Sequence, residues 1–217
     1  MSESSSLRWA GDVPSSLLST IHAGVLRTAY RGLAFLKSPF DLVLYLQLFE
    51  RLKPRTIIEI GTYEGGSALW FADTLTAMGV HARIVSVDLN PPKLDDPRIT
   101  LVPGDALALG SALQHELLET LAHPMVVIDD SAHLFESTRA VLTFFHPYLR
   151  PDDYIVVEDG IVSQFSEPGF LYFEDGPNRA VSAFLNQYEQ DYEVDRTLCD
   201  FYGTNVTYNP NAWVRRK

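Results

Sequence analysis

The stretch VVIDDSAH, Val126 to His133, runs three apolar residues into two adjacent carboxylates and, three positions past the second, a histidine. About two dozen residues later YIVVEDG, Tyr154 to Gly160, does the same with Glu158 and Asp159. Each apolar run reads as a short buried strand, so the acids stand at strand tips. If the two strands are neighbours, Asp130, Glu158 and Asp159 converge. Three hard oxygen ligands at one point suit Mg²⁺ or a similar divalent cation. Without an ion, such carboxylates would repel one another and their pKa values would rise. His133 lies close enough in sequence to Asp130 to face the same cleft. An imidazole of ordinary pKa, about 6.5, can take a proton from a hydroxyl that a metal has acidified. The plainer alternative makes Asp130 the N-cap of a helix starting near Ala132, with His133 in its first turn. The second acidic tip turns the balance towards a site. Asp129 should point to the opposite face of its strand from Asp130 and take a structural or capping role.

A second constellation is EIGTYEGGS, Glu59 to Ser67, which places Gly61, Gly65 and Gly66 between an apolar strand and a helix. Glycine there lets the chain turn sharply and lets a ligand approach the backbone and the helix N-terminus. The dinucleotide fingerprint G-x-G-x-x-G is not met, because Tyr63 occupies the place of its second glycine. The E-x-G-x-x-x-G spacing resembles the first motif of S-adenosylmethionine-dependent methyltransferases. Asp88 ends the next strand, 27 residues after Gly61, where a carboxylate can accept hydrogen bonds from both ribose hydroxyls. Asp105 follows the third strand and could take an adenine amino group, with Ala106 offering its N–H. Each Asp also has a helix-capping alternative. The donor set expected is Glu59, Gly61, Thr62, Tyr63, Gly65, Ser67, Asp88, Asp105 and Ala106, with Asp130 at its edge.

Positioning these residues requires a parallel sheet. Apolar spacing predicts amphipathic helices over 15–30 and 40–52, the second closed by Pro54. Beyond it, the pattern predicts strand 55–60, helix 66–78, strand 83–88, strand 99–102, helix 106–121, strand 125–129, helix 134–146, strand 154–158 and helix 178–189. Two late strands, near 192–196 and 204–215, have no predicted helix between them and should form an antiparallel edge pair. That alternation predicts an α/β, Rossmann-like sheet, mostly parallel and seven-stranded, with helices on both faces and ligands at the carboxyl ends of the strands. Residues 1–36 read as a tail, frayed over 1–12, and a helical extension; 37–217 read as the catalytic domain.

The totals exclude several classes. The chain has 217 residues, 46% of them hydrophobic, enough for one full core. A net charge of −11 and no basic cluster beyond the terminal RRK argue against nucleic acid as a partner. Cys199 is the lone cysteine, so no internal disulfide can form. No apolar run approaches the roughly 20 residues that span a bilayer, and the N-terminus lacks a signal-peptide pattern. A cytoplasmic protein without a membrane partner is expected.

Taken together, EIGTYEGGSALWFAD, VDLN, IDDSAH, PDDYIVVEDG and the tail TYNPNAWVRR resemble the cephalosporin hydroxylase family, over about residues 37–216. Its members are similar to class I S-adenosylmethionine-dependent O-methyltransferases. The resemblance implies a donor site on the glycine turn and a Mg²⁺ site from the fourth and fifth strand tips. The spacing of Asp130 and His133 is also similar to the metal ligand and general base of macrolide-sugar O-methyltransferases. Catechol methyltransferases place a lysine where this chain has His133. The expected reaction is methyl transfer to a hydroxyl of a small molecule, a sugar or a natural-product alcohol or phenol. Three rivals remain at this level: a nicotinamide-dependent oxidoreductase, a non-catalytic donor-binding module, and a methyltransferase that uses His133 without a metal. The loop at 162–177 carries Phe165, Phe170, Tyr172 and Phe173 and either closes over an acceptor or packs against the N-terminal helices or a second subunit. Those helices are candidates for a homo-oligomer contact or an acceptor lid. The remaining histidines, His22, His81, His115, His123 and His146, read as surface or packing residues without carboxylate company.

Overall fold

A computed structural model describes residues 7–165 and 167–217. In chain order its elements are α1 (Ser15–Val25), a short ribbon of β1 (Ala29–Tyr30) and β2 (Leu33–Ala34), α2 (Pro39–Leu52), β3 (Thr56–Ile60), α3 (Gly66–Ala77), β4 (Arg83–Asp88), β5 (Ile99–Pro103), α4 (Leu109–Ala112), α5 (His115–Glu119), β6 (Met125–Asp129), α6 (Phe135–Phe145), β7 (Tyr154–Val157), α7 (Pro168–Leu171), α8 (Gly176–Gln187), β8 (Tyr192–Val194), α9 (Arg196–Cys199) and β9 (Trp213–Arg216). The large sheet has seven strands in the order β5-β4-β3-β6-β7-β9-β8. Pairings from β5 through β7 are parallel, while β9 runs antiparallel to both β7 and β8.

The strand sequences explain their depth. Every residue of β3, β6 and β7 is buried, as expected of strands covered on both faces. Their side chains divide by the two-residue period. Ile57, Val126, Ile128 and Val156 pack with Tyr45, Phe49, Phe71 and Leu75 of α2 and α3. Ile58, Val127, Ile155 and Val157 meet Val141, Leu142 and Phe145 of α6 and Val181 and Phe184 of α8. One sheet therefore carries two apolar layers.

The connection out of β3 goes to β4 on one side, whereas β6 pairs with β3 on the other. That reversal opens a crevice at the carboxyl ends of β3 and β6. Ile60 lies opposite Asp129, and the Asp130 N–H donates to the Ile60 carbonyl at 2.8 Å. The glycine turn and the first acidic tip are thus adjacent by register.

Several expectations change at the edges. The helix expected over 106–121 is three pieces, a 3₁₀ turn at Ala106–Ala108 followed by α4 and α5. Ala108, with φ −138° and ψ 40°, and the extended Leu113 interrupt it. The first helix ends at Val25 instead of residue 30, and of the strand expected at 204–215 only Trp213–Arg216 forms. α9, capped by the Asp195 carboxylate, lies between the last two strands. Residues 7–12 are tied down, because the Asn211 side chain donates to the Arg8 carbonyl at 2.6 Å and the Asp12 N–H to Thr204 at 2.9 Å. Residues 1–6, the remainder of the segment expected to fray, lie outside the described residues. No helix among the described residues is long and apolar enough to cross a membrane.

Cys199 is fully buried against the α2–α3 layer, and burial pushes its thiol up to about 12. The thiolate is the reactive form. Native protein at pH 8 should therefore leave a maleimide unconsumed over an hour, whereas protein in guanidinium should consume one equivalent within minutes.

Candidate active site

The donor turn is built on glycine geometry. Gly61 has φ +95° and Gly65, the N-cap of α3, has φ +89°. A Cβ on Gly66 would stand 2.2 Å from the Ala34 carbonyl oxygen, so the β1–β2 ribbon lies directly on the turn. Asp88 organises the loop from the neighbouring strand: one carboxylate oxygen accepts the Thr62 and Tyr63 N–H groups at 2.8 and 3.0 Å, the other that of Asn90 at 2.9 Å. Burial would raise the Asp88 pKa, but the three backbone donors outweigh it and hold the group below the usual carboxylate range. Asp105 caps the 3₁₀ turn through Leu107 N at 2.9 Å while still facing the cavity.

Gly61, Thr62, Tyr63, Ser67, Asp88, Asp105, Ala106 and Asp130 all line one cavity of about 1170 Å³. Glu59 and Gly65 are not on its wall. Glu59 is fully buried behind the turn, where its carboxylate accepts the Ser86 hydroxyl at 2.6 Å. Burial raises its pKa, opposed by the charge of Lys37 and by the Ser67 and Ser86 hydroxyls. Replacing Asp88 by asparagine turns an amide NH₂ towards backbone donors. S-adenosylhomocysteine affinity should fall at least about tenfold, with a stability loss of about 1–3 kcal/mol. Titration calorimetry and urea denaturation on the same sample read both.

The acidic tips meet at the far end of the same cavity. His133 Nε2 lies 3.6 Å from Asp159 Oδ2 and 3.9 Å from Asp130 Oδ1. One ligand atom from each of these three residues falls within 4.8 Å of the others. Both His133 and Asp159 adopt left-handed backbone, with φ of +56° and +58°, which turns their side chains into the cleft. Asp130 is not a helix cap: α6 begins at Phe135, with Leu134 as its N-cap and no side-chain cap bond. Asp129 points away as expected and accepts the Ser131 hydroxyl at 2.6 Å.

Glu158 is placed differently from its neighbours. One oxygen accepts from the Lys37 ammonium and the other from the Tyr45 hydroxyl. Lys37 also donates to Asp130 Oδ2 at 2.6 Å. Burial pushes Glu158 up to about 7 against the pull of Lys37. Burial works against the Lys37 ammonium too, but Asp130, Glu158 and Glu59 outweigh it and hold its pKa above the ordinary lysine range. Burial likewise raises Asp130 and Asp159, which Lys37 and His133 respectively oppose most strongly.

Sequence reasoning did not single out Lys37 or Tyr45. Lys37 immediately precedes the Ser38 cap of α2, and Tyr45 lies two turns into that helix, where its spacing reads as core. Neither position signals a carboxylate partner more than 110 residues away. The aromatic loop divides between its two readings. Phe165 and Phe170 stack at 4.5 Å and pack around His22 of α1, whereas Phe173 sets its ring edge-to-face with His133 at 5.7 Å. His123 and His115 do have carboxylate company, contrary to expectation. His123 Nδ1 lies 2.6 Å from Asp153 Oδ2, and His115 Nε2 lies 3.1 Å from Glu119 Oε1 on the next turn of helix.

Comparison with known proteins shows the family. Residues 24–217 match the family model described as Rhamnosyl O-methyltransferase/CmcI. A rhamnosyl O-methyltransferase of Mycobacterium leprae is 30% identical over 195 residues, which span 88% of this chain and 83% of that protein. One from Mycobacterium tuberculosis is 29% identical over 197 residues, 88% of this chain and 78% of the relative. A solved structure of CmcI with Mg and SAM superposes with a TM-score of 0.69 at 27% identity, covering 88% of this chain and 77% of that one.

Proposed function

The chain belongs to the Rhamnosyl O-methyltransferase/CmcI family, and from that premise we propose that it moves a methyl group from S-adenosylmethionine to a sugar hydroxyl at a Mg²⁺-dependent centre. The observation that carries the reading is the single cavity that has the donor turn at one end and Asp130, His133 and Asp159 at the other. Its volume of about 1170 Å³ admits donor and acceptor together. The acidic end fits the ion, since the Asp130 and Asp159 carboxylates offer hard oxygen ligands within reach of one another.

Asp130 and Asp159 would hold Mg²⁺, with Glu158 joining them only when it is released from Lys37. When bound, the ion makes the acceptor hydroxyl more acidic and screens the charge that develops on its oxygen. The glycine turn, whose Thr62 and Tyr63 are fixed by Asp88, would hold the donor. His133 Nε2 takes the hydroxyl proton as the acceptor oxygen attacks the methyl carbon. The O–C bond forms as the S–C bond breaks, and S-adenosylhomocysteine leaves. Leu134 lines the cavity beside the histidine, and Phe173 sets its ring edge against it. Much of the rate gain comes from alignment of the two reactants.

The test is donor transfer to a panel of nucleotide-linked and glycosidic deoxyhexoses, with and without chelator. His133→Asn should lower kcat by about 10²–10⁴ at unchanged S-adenosylhomocysteine affinity. Full activity after exhaustive chelation would refute the metal dependence, and wild-type turnover by the His133 variant would refute the base.

A further inference from the structure

Lys37 is an unusual companion for a divalent ion. Its residue is 4% exposed, and its ammonium is shared between Asp130 Oδ2 and Glu158 Oε2. The backbone that carries it is anchored: Ser38 accepts the Phe40 N–H at 3.2 Å, and Pro39 opens α2. Tyr45, from the same helix, takes the second Glu158 oxygen. One element, α2 with its N-terminal flank, therefore occupies both oxygens of the carboxylate next to Asp159.

We infer that Lys37 is a positioning residue that competes with the divalent ion for these carboxylates. It holds Glu158 and one oxygen of Asp130, directs the ion towards Asp130 Oδ1 and Asp159 beside His133, and admits Glu158 only when its own contact breaks. The inference rests on the proposed Mg²⁺ centre. The physical reason is that an ammonium and a divalent ion on the same oxygens repel strongly where little water screens them. A lysine suits the task because its charge is compact and its four-carbon stem can withdraw without moving the helix. A purely structural lysine would neutralise buried Glu158 and leave ion binding alone.

Removal of the charge distinguishes the two. Mg²⁺ titrated by calorimetry at one fixed pH, in the presence of S-adenosylhomocysteine, should bind at least tenfold more tightly to both K37M and K37Q than to the wild type. Introducing E158Q into K37M should remove at least half of that gain on a logarithmic scale, because Glu158 is the ligand set free. Unchanged S-adenosylhomocysteine affinity checks the fold. Equal or weaker Mg²⁺ binding by the folded variants overturns the competition. In wild-type protein carrying ¹⁵N-lysine, the buried ammonium resonance should shift in step with Mg²⁺ occupancy. A resonance indifferent to Mg²⁺ overturns the competition even if neither variant folds. Wild-type protein that takes up no Mg²⁺ at all sinks the metal centre itself, whereas uptake indifferent to Lys37 sinks only this inference.

Discussion

Gly61→Ala should leave a protein that neither binds S-adenosylhomocysteine nor turns over, and that unfolds at markedly lower denaturant. Gly61 has φ +95°, and a Cβ there would lie 2.0 Å from the Asp130 carbonyl oxygen and 2.6 Å from its carbon. The left-handed backbone alone costs an L-residue about 1–2 kcal/mol. The overlap is worse, because its partner is backbone at the tip of β6 and cannot rotate away. Relief requires β3 and β6 to part where the Asp130 N–H donates to Ile60. Overpacking of this kind adds about 1–3 kcal/mol or more, a large share of a typical total of about 5–15 kcal/mol. The same displacement misplaces Thr62 and Tyr63 on the donor side and Asp130 on the acidic side. Gly79→Ala is the control, with φ +70° and no atom within 4 Å, so only the backbone cost applies. Urea denaturation and calorimetry of the two variants, side by side, read the difference. A Gly61 variant with wild-type stability and ligand affinity would contradict the close approach of the two tips.

Asp130→Asn is expected to lower kcat/KM by about 10³ or more, equivalent to about 4 kcal/mol of transition-state stabilisation. The change conserves volume, and Lys37 keeps Glu158 as a partner, so the fold should survive. What it removes is the charge that faces His133 and Asp159 at one oxygen and Lys37 at the other. Mg²⁺ affinity should fall at least about 100-fold, since a metal ligand matters at least as much as the partners around it. S-adenosylhomocysteine affinity should change little, because the Asp88-organised turn is untouched. Retention of more than a tenth of the activity would show that the ion, or the acceptor, sits elsewhere in the cavity.

How much of the site could be read before the fold was known depends on whether its determinants are local. Gly61, Asp88, Asp130 and Asp159 each end or follow a strand signalled by a short run of apolar residues. A parallel sheet sends every strand's carboxyl end to the same edge. Their convergence was therefore legible from strand tips alone. By sequence Asp105 is either ligand or cap, and in the structure it caps a turn while still facing the cavity. The helix expected over 106–121 was less legible, because its apolar spacing did not register a break at Leu113 that is made in the backbone.

Lys37 and Tyr45 show the other limit. Each looks ordinary in its own segment, one a lysine before a helix cap and the other a helical core aromatic. Their meaning comes from the packing of α2 across the sheet, which brings both to Glu158. Similarly, the aromatic loop reads as lid or as packing, and only docking on α1 assigns Phe165 and Phe170 to the core and Phe173 to His133.

By itself, then, the amino-acid order determined the strand sequence, the polarity of the sheet and which residues end its strands, since hydrophobic period and glycine placement act over a few neighbours. Tertiary structure alone decided which oxygen of each acid is free and which is held. That choice belongs to partners far apart in the chain, whose charges interact strongly only after burial has removed the water between them.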